Sequence, residues 1–217
     1  MAKVIATKPL LIMLYGFPGS GKSYFARQLA ENMQIAHIQG DRIRGELFSE
    51  PRYDKQENTI VAQLMNYMTE EFLSAGVSVI YDENISRTSQ RMLVRDMARR
   101  KNAIPLLVWL QIDADSSYAR LPKRDRRRIE DRYSRDYSEI SYAKILGSMQ
   151  NPNNEDFIVI SGKHTFPSQK SAVFKRLTEL GLISHAASAL NVVKPGLVNL
   201  VPTSGRVDMS RRNILIR

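Results

Sequence analysis

Residues 10–23 read LLIMLYGFPGSGKS. Leu10 to Tyr15 is an unbroken apolar run, the pattern of a strand buried on both faces. It breaks into Gly16-Phe17-Pro18-Gly19-Ser20-Gly21-Lys22-Ser23, a glycine and four residues followed by Gly-Lys-Ser, and Tyr24 to Met33 then has the composition of a helix. Strand, loop and helix in that order are the context in which this loop pattern cradles phosphates. Its glycines allow turns closed to other residues, so that successive N–H groups can line a concave anion nest at a helix N-terminus. The expected nucleotide-binding residues are Gly16, Pro18, Gly19, Ser20, Gly21, Lys22, Ser23 and Tyr24. Lys22 is placed to reach the terminal phosphates, and the Ser23 hydroxyl to meet magnesium. The stretch therefore predicts a site for a nucleoside triphosphate, ATP with Mg2+.

Composition narrows the rest. The chain has 217 residues, 43% of them hydrophobic, with no apolar run of membrane-spanning length and no signal peptide evident at MAKVIATKPL. Its size suits one α/β domain. It has no cysteine, which excludes disulfides, thiolate metal sites and cysteine nucleophiles and suits the cytoplasm. The three histidines, His37, His164 and His185, show no metal-ligand spacing. The formal charge of +10 points to polyanionic company: six basic residues lie between Arg87 and Lys101 and eight between Arg120 and Arg135. A nucleic-acid surface would use them, as would an enzyme holding a triphosphate and a charged acceptor, and part of the set is a solvated face. No membrane partner is expected, and a monomer is favoured.

Outward from the loop, strands alternate with helices. Ile35–Ile38 predicts a second strand; Asp54 to Ser74, apolar at helical spacing, a long helix stopped by Gly76; and Val77–Tyr81 a third strand. Ser86 is expected to cap a helix to about Lys101, followed by strand Pro105–Ile112, a helix around Glu139–Met149, a fifth strand at Phe157–Ile160 and a closing helix Ser168–Leu180. The expected fold is an α/β P-loop NTPase, a three-layer αβα sandwich around a five-stranded parallel sheet. Residues 1–183 would form this domain, with an arginine-rich lid at about 120–137, and 184–217 an extended C-terminal tail docked on it.

In an open α/β sheet ligands bind beyond the carboxyl ends of the strands, where the second strand delivers Asp41 and Arg44 and the third Asp82. Asp82 after an apolar strand fits a carboxylate that holds magnesium alongside Ser23, or a residue that merely opens the next loop. Asp41 fits a general base for an attacking hydroxyl, or a helix cap, and the two are compatible. Arg44, one helical turn on, could hold an acceptor phosphate or the transferring group. Glu83 beside Asp82 resembles the residue with which ATPases activate water. Arg120, Arg124, Arg127 and Arg128 are lid cations suited to a developing phosphate charge; the alternative is a charged surface helix paired with Glu130, Asp131 and Asp136.

GFPGSGKS, Asp41-x-x-Arg44, VIYDEN with Ser86 and Arg91 beyond it, and the arginine-rich segment together resemble the P-loop kinases grouped around polynucleotide 5′-hydroxyl kinase and the zeta-toxin-like kinases. The resemblance spans roughly residues 10–180. It implies Asp41 as base, Arg44 on the acceptor phosphate, a lid arginine near Arg124 on the transferring phosphates, and the loop at Gly162 against adenine. In that group the third-strand motif is Asp-Thr-Asn. Asp82-Glu83-Asn84 departs from it at Glu83, while Asn84 and Arg87 fall where acceptor contacts are expected. The expected activity is transfer of the ATP γ-phosphate to a hydroxyl, on a nucleic-acid 5′ end, a nucleoside, a sugar or an antibiotic. The alternatives are an ATPase using Glu83 and a non-catalytic ATP-binding regulatory module.

Overall fold

The computed structural model describes residues 3–127 and 131–184. Arg128 and the tail beyond Ser184, both singled out above, lie outside the described residues. The apolar run becomes β1 (Leu10–Tyr15), followed by α1 (Lys22–Asn32), β2 (Ile35–Gln39), α2 (Gly40–Leu47), α3 (Lys55–Ser74) and β3 (Ser78–Asp82). Then come α4 (Thr88–Arg100), β4 (Ile104–Gln111), the short α5 (Ala114–Tyr118), α6 (Glu139–Ser148), β5 (Phe157–Ser161) and α7 (Phe166–Glu179). The five strands are all parallel, in the order β2-β3-β1-β4-β5. This is the expected P-loop NTPase sheet with helices on both sides.

β1 is central, and all six of its residues are buried. Leu10, Ile12 and Leu14 face Phe25, Leu29, Val173 and Phe174 of α1 and α7. Leu11, Met13 and Tyr15 face Val61, Met65, Val94 and Met97 of α3 and α4. Burial on both sides removes the polar–apolar alternation of a one-sided sheet, which is why the stretch reads as a continuous apolar run.

Element ends follow local chemistry. Asp54 caps α3 by accepting from the Glu57 N–H, and the chain leaves that helix through Gly76 at φ +77°. Two helix caps differ from expectation. Ser86 is not the cap of α4, because Ile85 and Ser86 donate to the carbonyls of Glu83 and Asn84 in a tight turn, leaving Arg87 at the cap position. α2 begins at Gly40 behind Gln39, so Asp41 lies inside the first turn and is not the N-cap.

Candidate active site

The carboxyl ends of β1, β2 and β3 open into one cleft of about 510 Å³, lined also by Arg120, Lys123, Arg124, Ser134, Arg135 and Tyr137 and by Gly162 after β5. Its floor is the loop between β1 and α1, where Gly16, Gly19 and Gly21 have φ of +147°, +86° and +97°. Those values suit residues without a side chain, and the loop runs directly into the N-terminus of α1. Lys22 Nζ donates to the carbonyls of Gly16 (2.7 Å) and Phe17 (2.9 Å). Burial lowers the Lys22 pKa to about 8, against the pull of the Asp82 carboxylate. Pro18, Ser20, Ser23 and the exposed Tyr24 line the same floor, with the Ser20 hydroxyl buried and without a partner.

Three carboxylates face this loop. Asp82, the last residue of β3, is buried; its Oδ1 accepts from Ser23 Oγ at 3.2 Å, and its Oδ2 lies 2.9 Å from His37 Nε2. Asp41 follows β2, and its pKa is raised to about 7 by burial first and then by the charges of Glu83 and Asp82, with Arg44 and Arg124 opposing. Glu83 is also pushed up, mainly by burial. It accepts from the Asn84 N–H at 2.8 Å and lies so close over Gly40 that a Cβ there would stand 1.8 Å from Oε2. Asn84 Oδ1 is buried at the cleft without a hydrogen-bond partner, an acceptor open to a donor from a bound molecule.

Arg44 reaches the cleft wall but is held from the side. Its Nη1 donates to Glu57 Oε2 (3.1 Å), its Nη2 to Asn58 Oδ1 (2.7 Å), and its guanidinium lies 4.6 Å from the Tyr53 ring centroid. In this arrangement α3 engages both of its Nη atoms, and its Nε is buried without a partner.

The arginines after α5 divide. Arg120 and Arg124 line the cleft, and Arg120 also donates to the Gly162 carbonyl at 2.9 Å. Arg126 follows the surface alternative, paired with Asp136 at 2.6 Å. Arg127 does not line the cleft. Arg135, which sequence spacing does not distinguish, does line it, with its guanidinium 4.3 Å from the Tyr53 centroid and 5.1 Å from that of Tyr137. Tyr133 packs on Gly45 and hydrogen-bonds Glu46, both of α2.

Of the residues singled out from sequence, Arg87 is not brought to the cleft: it is exposed at the start of α4. Gly16 does not line the cleft; its carbonyl, with that of Phe17, accepts from Lys22. Sequence reasoning missed Tyr53, Glu57, Asn58, Arg135 and Tyr137, which carry no motif, and His37, which carries no metal spacing. Among the described residues no group of three His, Cys, Asp or Glu side chains is placed to hold a metal ion. Ser23 and Asp82 are hard oxygen donors at the phosphate end of the cleft. They suit magnesium, which is bound by one or two carboxylates together with substrate phosphates and water.

Residues 11–149 match the family described as AAA domain. Among solved structures, the chain resembles a sugar kinase from Janibacter sp. at 16% identity and a TM-score of 0.58, covering 82% of this chain and 98% of that one. It resembles the APS kinase CysC of Mycobacterium tuberculosis, in complex with AMPPNP and APS, at 18% identity and 0.59, covering 79% and 98%. It also resembles Kti12 of Chaetomium thermophilum, in complex with ADP-AlF3, at 14% identity and 0.60, covering 77% and 97%. At such identities the likeness is one of fold. No curated protein matches the sequence. Among the described residues no helix is long and apolar enough to cross a membrane.

Proposed function

The chain belongs to the AAA domain family, and from that premise we propose that it is a kinase, transferring the γ-phosphate of ATP to a hydroxyl of an acceptor. The observation that carries this reading is Asp41: a carboxyl facing the loop of Lys22, with a pKa raised to about 7, which suits a general base at neutral pH.

In the reaction the acceptor oxygen bonds to the γ-phosphorus as the bond to the β–γ bridging oxygen breaks, and ADP leaves. Asp41 takes the hydroxyl proton. Asn84 Oδ1 accepts a hydrogen bond from the acceptor and orients it. Lys22 leaves the loop carbonyls for the phosphates, and with Arg120 and Arg124 offsets the charge spread over the equatorial oxygens, the chief need of phosphoryl transfer. Ser23 and Asp82 would hold magnesium, which supplies further neutralisation of the β- and γ-oxygens. Gly162 forms the wall for the adenine. The acceptor is a nucleic-acid 5′ end or a nucleoside, suited to a chain of net charge +10. A phosphate of a nucleic-acid acceptor would meet Arg135, which lines the cleft, while Arg44 is engaged by Glu57 and Asn58. The protein acts as a monomer in the cytoplasm.

Incubation with γ-labelled ATP and separate pools of 5′-hydroxyl oligonucleotides, nucleosides and sugars tests the reading. Label should enter one pool faster than it enters inorganic phosphate. Acceptor-independent hydrolysis that Glu83→Gln abolishes would establish the ATPase alternative instead, and tight binding without turnover a regulatory module.

The pH profile follows from the same two groups. Asp41 acts only when ionised, so kcat/KM for ATP should rise through about pH 7. Lys22 acts only as a cation, so kcat/KM should fall above about pH 8. Initial rates at subsaturating ATP should give this narrow bell. In kcat the upper limb should move to higher pH, because the bound triphosphate favours the charged lysine.

A further inference from the structure

Asp82 is the carboxylate on which the metal reading rests, and its two oxygens are used differently. Oδ1 turns to Ser23 Oγ at 3.2 Å, toward the phosphate loop. Oδ2 turns away from it, to His37 Nε2 at 2.9 Å. His37 lies on β2 and is paired in register with Ile80, two residues before Asp82 on the neighbouring strand. Its side chain is 16% exposed and that of Asp82 3%, and it stands outside the residues that line the cleft. A carboxylate oxygen can only accept, so the contact requires the ring proton on Nε2.

We propose that His37 is a positioning residue for the metal site: it pins Asp82 Oδ2 from behind and so presents Oδ1, beside Ser23, to magnesium. The proposal rests on the reading of Ser23 and Asp82 as magnesium-binding residues. A carboxylate held at one oxygen cannot rotate about its Cβ–Cγ bond without losing that bond, and so offers the metal one defined lone-pair direction. Partners behind metal ligands commonly govern affinity in this way, and their loss costs about 10–100-fold. Glutamine is the informative replacement, because its amide nitrogen occupies nearly the place of Nε2 and donates to the same oxygen. Alanine removes the donor, and asparagine is too short to reach.

The experiment measures ATP binding by calorimetry, first in EDTA and then over a magnesium titration, with thermal unfolding recorded for each variant. His37→Ala and His37→Asn should bind ATP in EDTA as the parent does. Both should need about 10–100-fold more magnesium for half of the metal-dependent tightening. His37→Gln should stay within about threefold of the parent, since it restores the donor. Asp82→Asn should shift the magnesium midpoint at least as far as His37→Ala. An unchanged midpoint in both His37→Ala and His37→Asn, with Asp82→Asn shifted, overturns the proposal and leaves the metal reading intact. An unchanged midpoint in Asp82→Asn overturns both. An equal loss of ATP affinity with and without magnesium assigns His37 a purely structural role and also overturns the proposal. Should His37→Ala fail to fold, the contrast between asparagine and glutamine decides.

Discussion

Asp41→Asn is expected to lower phosphate transfer by about 10²–10⁴-fold, the usual contribution of a general base, while ATP affinity changes little. The same substitution should stabilise the protein at alkaline pH. In the fold Asp41 holds its proton to about pH 7, against an ordinary value of 3.8, because ionisation there means a buried charge beside Glu83 and Asp82. Below its unfolded pKa the residue is neutral in both states and costs nothing. As pH rises toward 7 the unfolded chain ionises first, and stability falls through that window. An amide never ionises. The variant's advantage should therefore be small near pH 4 and grow to on the order of 2–4 kcal/mol above pH 7. Urea unfolding at both pH values, alongside the transfer assay, checks it. Retained turnover would remove Asp41 from the mechanism, and equal stability at the two pH values would remove the buried charge.

Arg91→Leu should produce the largest loss of stability. Arg91 is fully buried on α4. Its Nε and Nη2 grip Glu155 ahead of β5 at 2.6 to 3.0 Å, and its Nη1 donates to the carbonyls of Ile85 and Ser86. The guanidinium also lies 5.0 Å from the Tyr15 ring centroid. Removing it leaves Glu155 with Arg95 alone, at 3.4 Å. Breaking a buried pair from one side costs about 3–5 kcal/mol, a drop of roughly 10 °C or more in Tm for a chain of this size. The double variant Arg91→Leu, Glu155→Leu should regain most of that, since two apolar side chains replace two desolvated charges. Chemical denaturation of the single and double variants separates the two cases. Transfer should survive in the single variant at low temperature, weakened as the turn after Asp82 loses its anchor.

The part of the fold legible in the sequence is the part encoded locally. The loop at 16–23 reads at once because its glycines, lysine and serine act through their own backbone and through the helix that follows. The strands of a parallel sheet buried on both sides declare themselves as apolar runs. Arginine, by contrast, looks the same in a sequence whether it is solvated, ion-paired or buried. Arg91 and Arg95 counted toward a basic surface and are buried. Arg44 sat in a motif spacing that implied a phosphate and is held by Glu57 and Asn58, thirteen and fourteen residues away on another helix. His37 gave no signal because its meaning comes from strand register, which brings it to Asp82 across 45 positions of chain.

The contact of Tyr133 with α2 bears, under the proposed transfer, on what shape of acceptor fits. The lid leaves the sheet after β4, on one side of β1, while α2 leaves it after β2, on the other. Tyr133 rests on Gly45 and Arg135 against Tyr53, so segments that leave the sheet on the two sides of β1 touch beside the cleft. Under the proposed transfer, hydroxyls in the middle of a polymer should therefore be poorer acceptors than chain ends or small molecules, without any residue needing to read the acceptor's sequence.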